Sequence, residues 1–401
     1  MPDRAASLLP AEVAHRTGSV RAVDGALANR VDALLAQTPI FDGHNDLLYE
    51  LRVRASSDLD RIDLRADLTA TGLHTDLSRM RAGRLGAQFW SVWAPDSVPA
   101  GPVTAALEQI DLIRRMIARY PDHLMLALSA DDVERAHATG RVASLLGLEG
   151  GHLIGNSLGV LRAMHALGIR YLTLTHILST EWADSASDER RGRGLSAFGR
   201  DVVRELNRIG VLVDLAHVAP ATMHAALDVS RAPAFFSHSA ARALCDSPRN
   251  VPDDVLVRVR DTNGLVMVAF VNGFLTEDCR QWMDAESDVE DRLDARYAHD
   301  DPGWYAARAS WIAANPPPPC GVDRVADHIQ HVRDVAGVDC VGIGSDFDGM
   351  PTAPDGLADV AAFPALVTEL AGRGWSDLEL SKLTWHNALR VLRDTESVAR
   401  G

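Results

Sequence analysis

The sequence predicts a closed parallel α/β barrel, a (β/α)8 TIM barrel, and three observations carry that expectation. Short apolar segments alternate with amphipathic helical stretches about eight times along the chain. Most of these segments are nearly continuous in apolar residues, as strands buried on both faces should be. Their closing residues are polar: His44 and Asp46, Glu149, His176, His217, His238 and Asp346. A barrel gathers the C-terminal ends of its strands on one rim, where such folds carry their active sites. An open doubly wound sheet, the competing arrangement, would not bring the first and last strands together.

In order, the strands are expected at residues 39–46 (PIFDGHND), 85–93 (LGAQFWSVW), 142–149 (VASLLGLE) and 170–176 (RYLTLTH). They continue at 211–217 (VLVDLAH), 234–238 (AFFSH), 265–271 (LVMVAFV) and 340–346 (CVGIGSD). Helical stretches such as 103–120, 157–168 and 196–210 set apolar residues three and four apart and stop near a glycine or proline. Two segments stand outside the repeat. Residues 1–38 read as an N-terminal helical extension, and 39–395 as a single catalytic domain. Within that domain, 275–320 is an insertion rich in charge and aromatics that closes on four prolines. An insertion of that length is expected to be a lid or a subunit contact rather than a second domain.

Composition narrows the function classes. Of 401 residues, 47% are hydrophobic and 24% charged, which excludes a disordered or collagen-like chain. The net charge of −15 disfavours nucleic acid and anionic membranes as partners. The first residues lack the apolar core of a signal peptide, and no run is long enough to span a bilayer. Cys245, Cys279, Cys320 and Cys340 form no CxxC pair, so they read as reduced, packed thiols of a cytoplasmic protein.

His44 and Asp46 stand two residues apart on the first expected strand. Side chains at i and i+2 share one side of a strand, so an imidazole and a carboxylate can converge on one cation. Glu149 lies within GLEGG, whose glycines permit a sharp turn and a close approach to the carboxylate. Its two oxygens can bridge two cations. His217 and His238 offer neutral imidazoles. Together the five side chains can hold two zinc-type ions roughly 3.5–4 Å apart. A lone histidine at a strand end is more often a hydrogen-bonded core residue, but five ligand-type residues at strand ends make coincidence a poor explanation.

Asp346 can take a proton from water and pass it to a leaving amine. Its competing role, capping the next segment, suits Asp348 better. His176 can donate a hydrogen bond to an oxyanion. Arg249, in a loop after the sixth strand, can clamp a carboxylate, although position alone reads it as a solvated surface residue. GNSLG at 155–159 fits the nucleophile elbow of serine hydrolases. No strand runs into it, however, so Ser157 is expected to be a helix N-cap.

The segments DGHND (42–46), LEGGH (148–152), LTLTH (172–176), DLAHV (214–218), FSHS (236–239), RNVPDD (249–254) and GSDFDG (344–349) together resemble the membrane (renal-type) dipeptidases, zinc peptidase family M19. The match keeps family order over nearly the whole chain. The resemblance implies an amidohydrolase-type barrel with two zinc ions, one on His44, Asp46 and Glu149 and the other on Glu149, His217 and His238. It implies that His176 assists at the scissile carbonyl, that Arg249 takes the substrate's C-terminal carboxylate, and that Asp346 moves the proton. Trp182 and Asp184, in EWADSA, are expected to line the pocket. It further implies dipeptide substrates, including those with a C-terminal D-residue, and a homodimer. The missing secretion signal and anchor tail point to a cytoplasmic, bacterial-type member. Three alternatives stay open: an N-acyl amino acid amidohydrolase or β-lactam hydrolase on the same site, a one-metal enzyme in which Glu149 binds nothing, and a metal-binding protein without turnover.

Overall fold

Strands without a polar face must be covered on both sides, and a barrel wrapped in helices provides that cover. The computed structural model describes residues 25–188, 192–297, 302–350 and 352–400. Its strands are β1 (Ile40–Asn45), β2 (Leu85–Val92), β3 (Leu124–Leu126), β4 (Val142–Glu149), β5 (Ile169–Thr173), β6 (Leu212–Asp214), β7 (Phe235–Ser239), β8 (Leu265–Val268) and β9 (Val341–Ile343). Eight of them close in the order β1-β2-β4-β5-β6-β7-β8-β9, all parallel, and β9 returns to β1 through Asp42 and Ile343. This is the expected (β/α)8 barrel. The short β3 lies outside the eight expected strands, because three residues are too few to show a period. It pairs with Val142–Ser144 at the lower end of β4, leaving the upper end to β5.

Alternate residues fill the interior. Phe41, Phe89, Tyr171, Phe235 and Met267 form a buried cluster closed off by Trp385 and Leu389 of the C-terminal segment. The first four rings pack in a chain of contacts, Phe89 lying 4.9 Å from Tyr171 and 5.9 Å from Phe41 between centroids. This aromatic floor excludes water beneath the rim. The seam between first and last strands is clipped by Asp42, whose carboxylate accepts both the backbone N–H and the hydroxyl of Ser345 at 2.7 Å. Burial pushes the Asp42 carboxyl up to about 6, with the Ser345 hydrogen bonds opposing that rise.

Several strands end earlier than the sequence suggests. His176, His217 and Asp346 each lie three residues beyond the last ladder residue of β5, β6 and β9. The chain leaves the ladder there so that it can turn side chains inward. His217 (φ 67°) and Asp346 (φ 68°) take left-handed backbone conformations to do so.

Of the expected N-terminal helical extension, residues 1–24 lie outside the described residues, and Gly25–Leu35 is helical. The 275–320 segment contains two helices, Glu277–Asp294 and Pro302–Ala314. Arg308 joins them through Glu286 (2.5 Å) and Glu290 (2.6 Å), and the Trp282 and Trp311 rings meet at 5.6 Å. Among the described residues, no helix is long and apolar enough to cross a membrane.

Crowding at the seam requires glycine. A Cβ on Gly344 would stand 2.0 Å from the Ser237 carbonyl oxygen, and one on Gly43 would stand 2.3 Å from it. Gly344→Ala is therefore expected to destabilise the fold by about 2–3 kcal/mol, read as a lower urea midpoint. An unchanged midpoint would contradict this close approach.

Candidate metal centre and substrate pocket

The rim brings the predicted ligands into one cluster. Nε2 of His44 lies 3.2 Å from Asp46 Oδ2 and 3.4 Å from Glu149 Oε2. The other Glu149 oxygen, Oε1, lies 3.0 Å from His217 Nε2 and 3.4 Å from His238 Nε2. Glu149 thus presents one oxygen to each of two ligand sets. The Nε2 atoms of His217 and His238 are themselves 2.8 Å apart. Ligand atoms of His44, Asp46 and Glu149 lie within 4.8 Å of one another, as do those of Glu149, His217 and His238. His44, His238 and Asp346 form a third such group. The donors are the imidazole nitrogens and carboxylate oxygens that suit zinc.

The backbone route to this convergence differs from simple alternation. β1 ends at Asn45, and its register is irregular between Asp42 and Asn45. Asp46 has left the extended conformation (φ −100°, ψ 16°). His44 and Asp46 therefore meet across a bend at the strand end, not along a regular pleat. Glu149 does close β4, and the glycine after it, Gly150, has φ +122°. Gly147 opposes the Tyr171 ring so closely that a Cβ would sit 1.9 Å from it.

Electrostatics follow from burial and proximity. Burial alone would raise the Glu149 carboxyl, but His44 and the hydrogen-bonding His217 hold it well below its usual range. Burial would pull His44 down, yet Glu149, Tyr171 and Asp46 push it well above. Burial drives His217 and His238 well below their ordinary values, so both favour the neutral, ligand-competent form. Burial, aided by Asp46 and Glu149, pushes Asp346 up to about 7. Asp346 Oδ1 lies 3.9 Å from His44 Nε2, within the reach a proton-carrying carboxylate needs.

His176 borders the cluster, with Nε2 3.8 Å from Glu149 Oε1. Its ring packs on Trp93 (5.0 Å) and His217 (4.4 Å), and burial keeps it neutral. Arg249 is not the surface residue its position suggests, since it is only 7% exposed. Its guanidinium lies 5.1 Å from the Phe274 ring centre, and Nη1 has no hydrogen-bond partner among the described residues. Burial lowers it to about 10, which still leaves a cation at neutral pH.

Two residues expected to line the pocket, Trp182 and Asp184, are buried. Trp182 is packed in the core against Gly151 and Phe198. The Asp184 carboxylate accepts from the backbone N–H groups of Arg193 and Gly194. Asp184 thereby ties the two arms of the loop after His176 together. Ser157 caps the helix that follows it, accepting from the Val160 N–H, so it is no nucleophile. Asp348 accepts from the His74 N–H at 2.6 Å, a bracing role. Several contributors carry no signal in the linear pattern. Tyr171 meets His44 Nδ1 at 2.8 Å, and the Ser91 hydroxyl donates to Glu149 Oε2 at 2.9 Å. Only the two-residue alternation along β2 and β5 would have pointed these side chains inward.

Fold and cluster together point to a class: a barrel metallohydrolase, with candidate metal ligands at the C-terminal rim. Residues 28–401 match the family described as membrane dipeptidase, peptidase family M19, and the chain belongs to that family. It is 40% identical over 381 residues to "Dipeptidase 3" of Rattus norvegicus, a match covering 94% of this chain and 69% of that relative. Among solved structures it resembles the probable dipeptidase PvdM from Pseudomonas aeruginosa (TM-score 0.77, 23% identity, 93% of this chain and 99% of that one). It also resembles a metallo peptidase from Rhodobacter sphaeroides liganded with a phosphinate mimic of the dipeptide L-Ala-D-Ala (TM-score 0.72, 27% identity, 89% and 99%).

Gly349 provides a test of the cluster that spares its ligands. A Cβ there would stand 2.1 Å from Asp46 Oδ2 and 2.7 Å from Asp346 Oδ1. Both carboxylates can swing aside, so Gly349→Ala should fold normally but bind zinc roughly 10-fold more weakly in equilibrium dialysis. Unaltered zinc affinity would contradict the placement of Asp46 in the cluster.

Proposed function

We propose that the chain is a two-zinc dipeptidase, with one ion on His44, Asp46 and Glu149 and the other on Glu149, His217 and His238. The observation that carries this reading is Glu149, whose two oxygens face separate sets of ligand atoms. When bound, the zinc pair supplies Lewis acidity, polarising the scissile carbonyl and acidifying a water so that it attacks at neutral pH.

The protein's own groups do the rest. Asp346 accepts the proton of the attacking water and delivers it to the nitrogen of the departing amine. His176, neutral and beside Glu149, donates a hydrogen bond to the oxygen on which charge develops. Arg249 pairs with the free C-terminal carboxylate of the substrate. Its buried, unpartnered Nη1 supports that role, since a desolvated guanidinium gains most from an anionic partner. The charges of Asp346 and Glu149 act on Arg249, so a carboxylate paired with it would lie beside the cluster, which favours dipeptides over longer chains. The L-Ala-D-Ala mimic held by the Rhodobacter sphaeroides relative supports including dipeptides with a C-terminal D-residue.

Three measurements test this reading. A dipeptide library that includes D-residues at the second position should be hydrolysed, and a chelator should abolish turnover. Preference for N-acyl amino acids would overturn the substrate assignment. Asp346→Asn should cut kcat by roughly 10²–10⁴-fold while zinc content stays at two per chain; surviving activity would remove Asp346 from proton transfer. Arg249→Met should raise KM roughly 10- to 100-fold with a smaller effect on kcat, and an unchanged KM would rule out carboxylate recognition.

A further inference from the structure

The imidazoles of the cluster are anchored differently at Nδ1. His217 Nδ1 is buried and has no hydrogen-bond partner among the described residues. His44 Nδ1 meets the Tyr171 hydroxyl at 2.8 Å. His238 Nδ1 lies 2.8 Å from Ser237 Oγ, which in turn donates to Asp214 Oδ2 at 2.6 Å.

The protons around Asp214 can be assigned. This carboxylate, fully buried at the end of β6, receives the Thr173 hydroxyl (2.6 Å) and the Ser237 hydroxyl on Oδ2. On Oδ1 it receives the backbone N–H groups of Ser237 (2.8 Å) and Ala216 (3.1 Å). Four donors fill the roughly four acceptor positions of a carboxylate. Ser237 has a single hydroxyl proton, and Asp214 takes it. Ser237 Oγ can then only accept from His238, so the proton of the neutral imidazole sits on Nδ1. Nε2 is left with its lone pair directed toward His217 Nε2 and Glu149 Oε1. A neutral imidazole binds a cation only through an unprotonated nitrogen, and the group on the opposite nitrogen decides which one that is.

We propose that Ser237 and Asp214 are positioning residues that lock His238 in the Nδ1–H tautomer and thereby set the affinity for the cation held by Glu149, His217 and His238. This rests on the two-zinc reading above. His238 carries the burden in that ligand set, because among the described residues no group meets His217 Nδ1 to fix its tautomer. The arrangement splits the two sites. The serine–aspartate chain acts on one cation, and the other, on His44, has its own partner in Tyr171. Strand β5 supplies a member to each, Thr173 to the first and Tyr171 to the second.

The test is a zinc titration of the metal-free protein with a chromophoric competitor, which reads affinity without turnover. Wild type should take up two equivalents. Ser237→Ala should keep one equivalent at full strength and bind the other roughly 10- to 100-fold more weakly, in a metal-free protein that stays folded with a melting temperature lowered by the lost buried hydrogen bonds. Ser237→Thr, which retains the hydroxyl, should restore affinity. In cadmium NMR of the loaded proteins, Ser237→Ala should shift or broaden one of two resonances and leave the other in place. If Ser237→Ala does not fold, Thr173→Val removes the other hydroxyl donor to Asp214 and should weaken the same site less strongly. Wild-type affinity at both sites in the folded variant overturns the proposal, as does an equal loss at both. Uptake of one ion by wild type overturns the two-zinc reading instead.

Discussion

A carboxylate that is 3% exposed faces histidine nitrogens on both oxygens, with two further carboxylates, Asp46 and Asp346, crowded into the same volume. Concentrating this much negative charge away from water costs several kcal/mol per ion unless cations lie among the oxygens. Much of the surrounding structure serves that constraint. Ser91 donates to Glu149 from the neighbouring strand. Gly147 has no side chain, so the Tyr171 ring can lie against it and reach His44. Below, the aromatic layer of Phe41, Phe89 and Phe235 seals the cluster from the far end of the barrel. The polar rim and the dry floor are thus consecutive layers of the same strands.

Barrel closure is what turns a scattered set of residues into a site. His44 leaves the first strand and Asp346 follows the last, nearly the full catalytic segment apart in sequence, yet Nε2 and Oδ1 stand 3.9 Å apart. The Asp42–Ser345 clip joins these two segments two residues below His44 and one residue before Asp346. Left-handed backbone at His217 and Asp346 bends each side chain over the mouth. Such conformations cost of order 1–3 kcal/mol for bulky residues and persist where the surrounding structure enforces them. They mark positions where geometry at the rim outweighed local preference.

The barrel and the clustering of His44, Asp46, Glu149, His217 and His238 were legible because both rest on strong local signals: uninterrupted apolar runs, and polar residues where those runs stop. β3 was not, since Leu124–Leu126 offers no period to read. Strand ends were misplaced at His176, His217 and Asp346 because hydropathy continues past the last ladder bond. Arg249 looked exposed, since a charged residue in a loop ordinarily is; only the packing of Phe274 against it shows otherwise. Ser237 and Asp214 lay within motifs already recognised, and their part depended on hydrogen-bond directions that only three-dimensional neighbours define.

Everything proposed for the rim requires that Glu149 bridge a pair of cations. Anomalous diffraction at the zinc absorption edge, from crystals of the zinc-loaded protein, examines this without reference to activity. Two peaks roughly 3.5–4 Å apart, one beside each Glu149 oxygen, are expected. A single peak, or a pair that leaves Glu149 uncoordinated, would contradict it.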